Sequence, residues 1–199
     1  MNFTVRKAKP TENLSITRTL AYAFEKDFSR LTKDMERVAK AFETGIATNR
    51  FIVAEQNGEI IGIAGCADCT GRVLNVSKRD SRKHFGLIRG TIAHMAFRGE
   101  FMNQLDFPPT TGVIDFVGVL PKSRGQGVAT ALLEKVVESN PKYTEFVLNV
   151  KDNNYSAIRV YERFGFVEYE RVPYKWAKQV GFKELVWMRY VVGKAVRDV

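Results

Sequence analysis

Arg124-Gly125-Gln126-Gly127-Val128-Ala129 stands where the apolar run "VIDFVGVLP" gives way to "TALLEKVVES", a segment with helical periodicity. Two glycines and an arginine without an acid, at a strand-to-helix handover, have the makings of an anion cradle. The first amides of a helix have no intrahelical partner and carry partial positive charge, and both properties favour a bound phosphate. Glycines there let a phosphate reach the backbone with no Cβ in the way, and Arg124 would add a cation beside it. The stretch is neither of two familiar nucleotide motifs. No glycine is followed by Lys-Ser or Lys-Thr at P-loop spacing, and the third position of a dinucleotide fingerprint falls on Thr130. On these residues alone, an ordinary turn and a phosphate cradle both stay open.

The other candidate chemistry is thin. Cys66 and Cys69 form "CADC", but His84 and His94 lie outside zinc-finger spacing and no thioredoxin-like pattern surrounds the pair. Reduced, structural thiols and no metal are expected.

These residues must be positioned by a mixed arrangement of strands and helices. "FTVRKAK" alternates like a first strand. Leu14, Leu20, Phe24 and Phe28 then share one helical stripe, as do Met35, Val38, Ala39, Phe42 and Ile46. "RFIVAEQNGEIIGIAGCA" predicts a hairpin around Asn57-Gly58. Phe85, Ile88, Ile92, Met95 and Met102 predict one or two amphipathic helices ending before Pro108-Pro109. Beyond them come the strand "TGVIDFVGVL", the helix "GVATALLEKVVES", the strand "TEFVLNV", the helix "NYSAIRVYERF" closed by Gly165, and two strands near 166–171 and 184–192. No repeat or linker divides the 199 residues, so one domain over 1–199 is expected.

The formal net charge of +9 favours an anionic partner without saying which kind. Aromatics are not interleaved with Lys and Arg as in a nucleic-acid-binding motif, so no nucleic acid is expected. No apolar stretch approaches the roughly 20 residues of a spanning helix, and the N-terminal residues lack a signal-peptide core, so a cytoplasmic protein without a membrane partner is expected.

Two spaced segments resemble the GNAT N-acetyltransferase superfamily. "VGVLPKSRGQGVATALL" is similar to its acetyl-CoA motif, with Arg124, Gly127 and Ala129 at the motif positions. "NVKDNNYSAIRVYERFGF" is similar to a second family segment through Asn154, Ala157, Tyr161, Gly165 and Phe166. The resemblance implies an α/β fold with a central mixed, mostly antiparallel sheet of about seven strands, splayed between strands 4 and 5. Residues 67–111 depart from the family pattern as a helical insert between strands 3 and 4.

The resemblance further implies acetyl-CoA as cosubstrate. Pantetheine would lie on the backbone of Val117 and Val119, with Gly118 between them at a bulged position. The diphosphate would sit on the amides from Arg124 through Gly125, Gln126, Gly127, Val128 and Ala129 to Thr130, and Asn154 would make another contact. Tyr161 falls on the family's general-acid position. An amine with a pKa of about 10.4 must lose a proton before attack, and a leaving thiolate with a pKa near 8.5 must gain one. Asp115, two residues before Val117 and expected on the same strand face, is the candidate base, with simple pairing to an arginine as the alternative. The implied activity is direct acetyl transfer from acetyl-CoA to a primary amine in a ternary complex, the alternative being a non-catalytic acyl-CoA-binding module. The acceptor would be met by residues 20–35, 67–111 and 173–183. The insert would wall that pocket or form a homodimer interface, and its run of basic residues from Arg72 to Arg98 would draw an acidic acceptor or else be a solvated face.

Overall fold

The computed structural model describes residues 2–175, 177 and 181–193. Seven strands form one sheet in the order β1-β2-β3-β4-β5-β7-β6, which are Thr4–Lys7, Phe51–Gln56, Glu59–Ala67, Thr111–Val119, Glu145–Lys151, Glu184–Val191 and Val167–Pro173 respectively. All neighbours are antiparallel except β4 and β5. The hairpin at Asn57-Gly58 and the mostly antiparallel seven-strand sheet agree with the sequence reading.

Alternation along the central strands supplies a core on each face. On one face, Phe51, Val53, Ile63, Val113 and Val147 pack under α1 (Asn13–Ala23), α2 (Glu25–Phe28) and α3 (Met35–Phe42). On the other, Ile52, Ala54, Ala64, Ile114, Phe146 and Leu148 pack under α6 (Val128–Ser139) and α7 (Tyr155–Phe164).

The residue 67–111 segment is helical as expected, with α4 (Lys78–Phe85), α5 (Leu87–Phe97) and a wider turn at Arg98–Met102, all on the α1–α3 side. Its apolar stripe is not the one the spacing predicts. Ile88, Ile92 and Met95 are exposed, whereas Gly90, Ala93 and Phe97 are buried. The reason is steric. A Cβ on Gly90 would stand 2.3 Å from the Ser81 carbonyl oxygen, so α4 and α5 cross backbone to backbone and the small-residue face turns inward.

Parallel pairing of β4 with β5 is confined to Thr111–Val113 against Glu145–Val147, although β4 continues to Val119 and β5 to Lys151. From Val113 onward the two strands part. The helices on the α1 side bridge the opening: Arg124, after β4, donates to the Ala23 carbonyl at the end of α1 (3.0 Å), and Lys151, at the end of β5, is ion-paired with Asp27 of α2. No described helix is long and apolar enough to cross a membrane.

Candidate functional site

β4 carries an extra residue where it leaves β5. Its register against β3 runs Gly65 to Asp115, then Ile63 to Gly118, so one residue of β3 faces two of β4, and Phe116 has a φ of 54°. Phe116 turns to the α1 face, edge-on to Phe24 and 4.9 Å from the Phe101 ring. One residue in excess inverts the alternation. Asp115 therefore shares the α1 face with Val113, while Val117 packs on the α6 face, which corrects the expectation that Asp115 and Val117 share one face. Neither glycine nor proline marks the bulge in sequence.

The same geometry sets the direction of the backbone. Leu120 donates to the Ile61 carbonyl on β3 at 2.9 Å. Alternation then aims the amides and carbonyls of Val117 and Val119 away from β3, into the opening toward β5. Gly118 has a different task from the cofactor approach expected of it: a Cβ there would stand 2.8 Å from the Phe24 ring and 3.0 Å from Ala23, so its bareness seats α1 on the sheet.

Beyond Val119 the chain makes a short turn at Pro121–Ser123 and reaches the glycine stretch. Gly125 and Gly127 have φ of 77° and 79°, and no atom lies within 4 Å of where either Cβ would be. Gly127 is the N-cap of α6, with no side chain capping the helix and no acid in its first turn. Its carbonyl accepts from Ala131 at 3.1 Å, so the amides of Val128, Ala129 and Thr130 precede the first intrahelical bond. α3 is capped by Asp34, α4 by Ser77 and α7 by Asn154, whereas α1 and α5, like α6, have no side-chain cap; α6 differs in standing at the end of the parted β4. The α6 terminus is thus an open, positively polarised turn beside a free strand edge.

Three of the residues expected at the cofactor make side-chain hydrogen bonds within the chain. The Arg124 guanidinium, expected near a diphosphate, is bonded to the carbonyls of Val119 (3.1 Å) and Ala23 (3.0 Å), and it ties the strand end to α1. Gln126 donates to the Lys122 carbonyl at 3.3 Å. Asn154 uses its Oδ1 as the cap of α7, accepting from the Ala157 amide at 3.4 Å.

Tyr161 and Asp115 lie on opposite faces of the sheet. Tyr161 is buried in the α6–α7 core with its ring 6.0 Å from Phe166, and burial holds its phenol well above the ordinary value, neutral throughout the physiological range. Asp115, two residues past the last β4–β5 pair, has side-chain exposure of 12%. Its one ion-pair partner among the described residues is Arg72 at 3.2 Å, a residue that sequence reading did not connect to it across 43 positions. Arg72 Nε and Asp115 Oδ2 are both buried without a hydrogen bond. Burial pushes the Asp115 carboxyl up to about 6, with the Arg72 charge opposing the rise.

The thiols of Cys66 and Cys69 are free, and Cys66 is pushed up to about 12 by burial and by the neighbouring Asp68 and Asp115. Among the described residues no cluster of His, Cys, Asp or Glu has metal-binding geometry. Of the acceptor-side segment 173–183, Trp176 and residues 178–180 lie outside the described residues.

A family model described as the acetyltransferase (GNAT) family matches residues 16–166. The chain belongs to the GNAT acetyltransferase family. Solved structures share the GNAT fold at low identity. The chain aligns with yncA from Salmonella typhimurium, solved with its cofactor acetyl-CoA, at TM-score 0.63 and 17% identity over 98% of this chain and 96% of that one. It aligns with an N-acetyltransferase from Staphylococcus aureus Mu50 at TM-score 0.62 and 16% identity, over 94% and 100% of the two chains. The ribosomal-protein-S18-alanine N-acetyltransferase from Escherichia coli gives 0.58 and 17%, over 99% and 98%. No curated protein sequence matches the chain. In this GNAT chain the splay, the β4 edge beyond Val113 and the uncapped α6 turn follow one another along the backbone from Val113 to Thr130, with the Val119 carbonyl taken by Arg124.

Proposed function

We propose that this GNAT protein transfers the acetyl group of acetyl-CoA to a primary amine by direct attack in a ternary complex. The observation that carries the reading is the pairing of an uncapped, glycine-opened α6 N-terminus with a β4 edge that has lost its neighbour. The diphosphate would take the amides from Gly125 to Thr130, as a helix N-terminus favours. The pantetheine amides would pair with Val117 and Val119 as an added strand.

With the thioester beside the bulge, the amine nitrogen bonds to the carbonyl carbon and the oxyanion that forms accepts from the Val117 amide. The arriving ammonium has first given one proton to Asp115, directly or through water; as the C–S bond breaks, the thiolate takes a proton from the Tyr161 hydroxyl, and the surplus proton on nitrogen leaves through water to restore Tyr161. A carboxyl near 6 is largely ionised at neutral pH yet basic enough to accept a proton in passing. Cys66 is held as a neutral thiol, which supports direct attack over a covalent acetyl-cysteine route.

Tyr161→Phe tests the assignment. It should lower the rate of CoA thiol release on the order of 10²-fold, with acetyl-CoA affinity by calorimetry unchanged. Wild-type turnover in the variant would remove Tyr161 from the mechanism. Acetyl-CoA binding without thiol release in the parent protein would make it an acyl-CoA-binding module.

A further inference from the structure

The α1 face holds a cleft of about 320 Å³ between the segment following α2, the start of α3 and the α4–α5 corner. Its cations are Lys33, Arg37 and Arg89, and Leu31 and Phe85 supply its apolar wall; of its two hydroxyls, Ser29 donates to the Lys26 carbonyl (3.0 Å), while Thr32 accepts from the Asp34 amide (3.1 Å) and keeps its own proton to donate. Asp34 sits 3.6 Å from Arg37, in an exposed pair. Neither Lys33 nor Arg89 has an ion-pair partner among the described residues. His84, on α4, is pushed below its ordinary value by burial, then by Lys83, with Asp80 opposing and Lys40 and Arg37 adding smaller effects. Exposed pairs and single surface charges are weak binders, but three cations with the Thr32 hydroxyl around one concavity match a carboxylate or phosphate with several acceptor atoms.

The place of the cleft is as telling as its charge. Its first wall, Ser29 to Lys33, directly follows α2, whose Asp27 is paired with Lys151 at the open end of β5. Its far wall leads along α5 to Phe97, which meets Phe101, which in turn meets Phe116 at the β4 bulge. The elements that line the cleft therefore also wall the splay, on the face that carries Asp115. The aromatic chain Phe28, Phe42, Phe97 and Phe101 separates the two, so one short molecule would not fill both.

We propose that the acceptor is an extended primary amine bearing an acidic group, carboxylate or phosphate, which the Lys33–Arg37–Arg89 cleft holds while the amine reaches the opening beside Asp115. The inference rests on the transferase reading above and names its substrate class. Seating of the acid would be felt chiefly in acceptor KM, because the charge lies away from the reacting atoms.

The test uses the full chain with saturating acetyl-CoA and follows CoA thiol release against matched acceptors. These are peptides with free N-termini and ω-amino acids, each as the free acid, as the amide and, for serine peptides, as the phosphoserine form. The acidic forms should have kcat/KM at least tenfold above their amides, with the difference in KM. In an Arg37→Gln, Arg89→Gln double variant that ratio should fall toward one. Amides or polyamines used as well as the acids would overturn the inference and leave the transferase reading intact, as would an undiminished preference in the variant. Acetyl-CoA binding with no transfer to any acceptor would overturn both together.

Discussion

Two buried carboxylates, one at the end of β3 and one at the middle of β4, show how differently the same group can be used. Asp68 accepts from the Thr70 amide (3.0 Å) and hydroxyl (2.6 Å), from the Tyr143 hydroxyl (2.6 Å), from Lys142 (3.1 Å) and from Arg50 (3.1 Å). Burial alone would raise it, but the hydrogen bonds from Thr70, Tyr143 and Lys142 win and hold it well below the usual carboxylate range. Asp115 faces one arginine at 3.2 Å, keeps an oxygen without any hydrogen bond and rises to about 6. A satisfied carboxylate is a structural clamp. A buried carboxylate with spare acceptor capacity, beside an opening in the sheet, stands ready to take a proton.

The two should tilt stability in opposite directions with pH. Asp68 binds its proton more weakly in the folded than the unfolded chain, so its contribution is present above about 3.9 and is lost as pH falls below. Asp115 binds its proton more tightly when folded, so its contribution is full at low pH and declines as pH rises through the window from about 4 to about 6.

The largest expected effect is Asp68→Ala, which leaves Arg50, Tyr143 and Thr70 without their acceptor and should cost about 3–5 kcal/mol in denaturant unfolding, with kcat per folded molecule preserved. A loss of kcat without a loss of stability would erase the distinction between the two acids. Next, Asp115→Asn should lower acetyl transfer on the order of 10²-fold at neutral pH and abolish the acid limb of the rate profile centred near 6, with little loss of stability. An unchanged profile would assign that limb elsewhere. Smallest is Arg72→Gln. Removing the one opposing charge should move the limb to higher pH, with a severalfold lower rate at pH 7. A limb that stays put would mean that the pair in the structure does not set the titration.

Legibility followed locality. The stretch from 113 to 170 could be read because its signals are short-range: a glycine turn between a strand and a helix, an Asn cap, a helix closed by Gly165. The mostly antiparallel sheet of about seven strands, the splay and the hairpin followed from the same resemblance and pattern, but the order of the last two strands did not. Three features could not be read. The bulge falls at Phe116, not at Gly118 where it was expected, because the register of β4 against β3 sets it and neither Phe116 nor Val117 marks it in sequence. Arg72 reaches Asp115 through tertiary packing alone. The facing of α5 is decided by a glycine contact with α4, which outweighs the apolar stripe of Ile88, Ile92 and Met95. The contacts of Arg124 with the Val119 and Ala23 carbonyls could not be read either, since they depend on where the end of α1 meets the turn.

The central claim is acetyl transfer from acetyl-CoA to an amine, and its most direct test is incubation of the purified protein with acetyl-CoA and a pooled library of amines and peptides, read by mass spectrometry. The account predicts acetylated amine product formed one-for-one with free CoA, at a rate lowered on the order of 10²-fold by Tyr161→Phe and by Asp115→Asn. Acetyl-CoA held at its expected site with no acetylated product from any amine would contradict it.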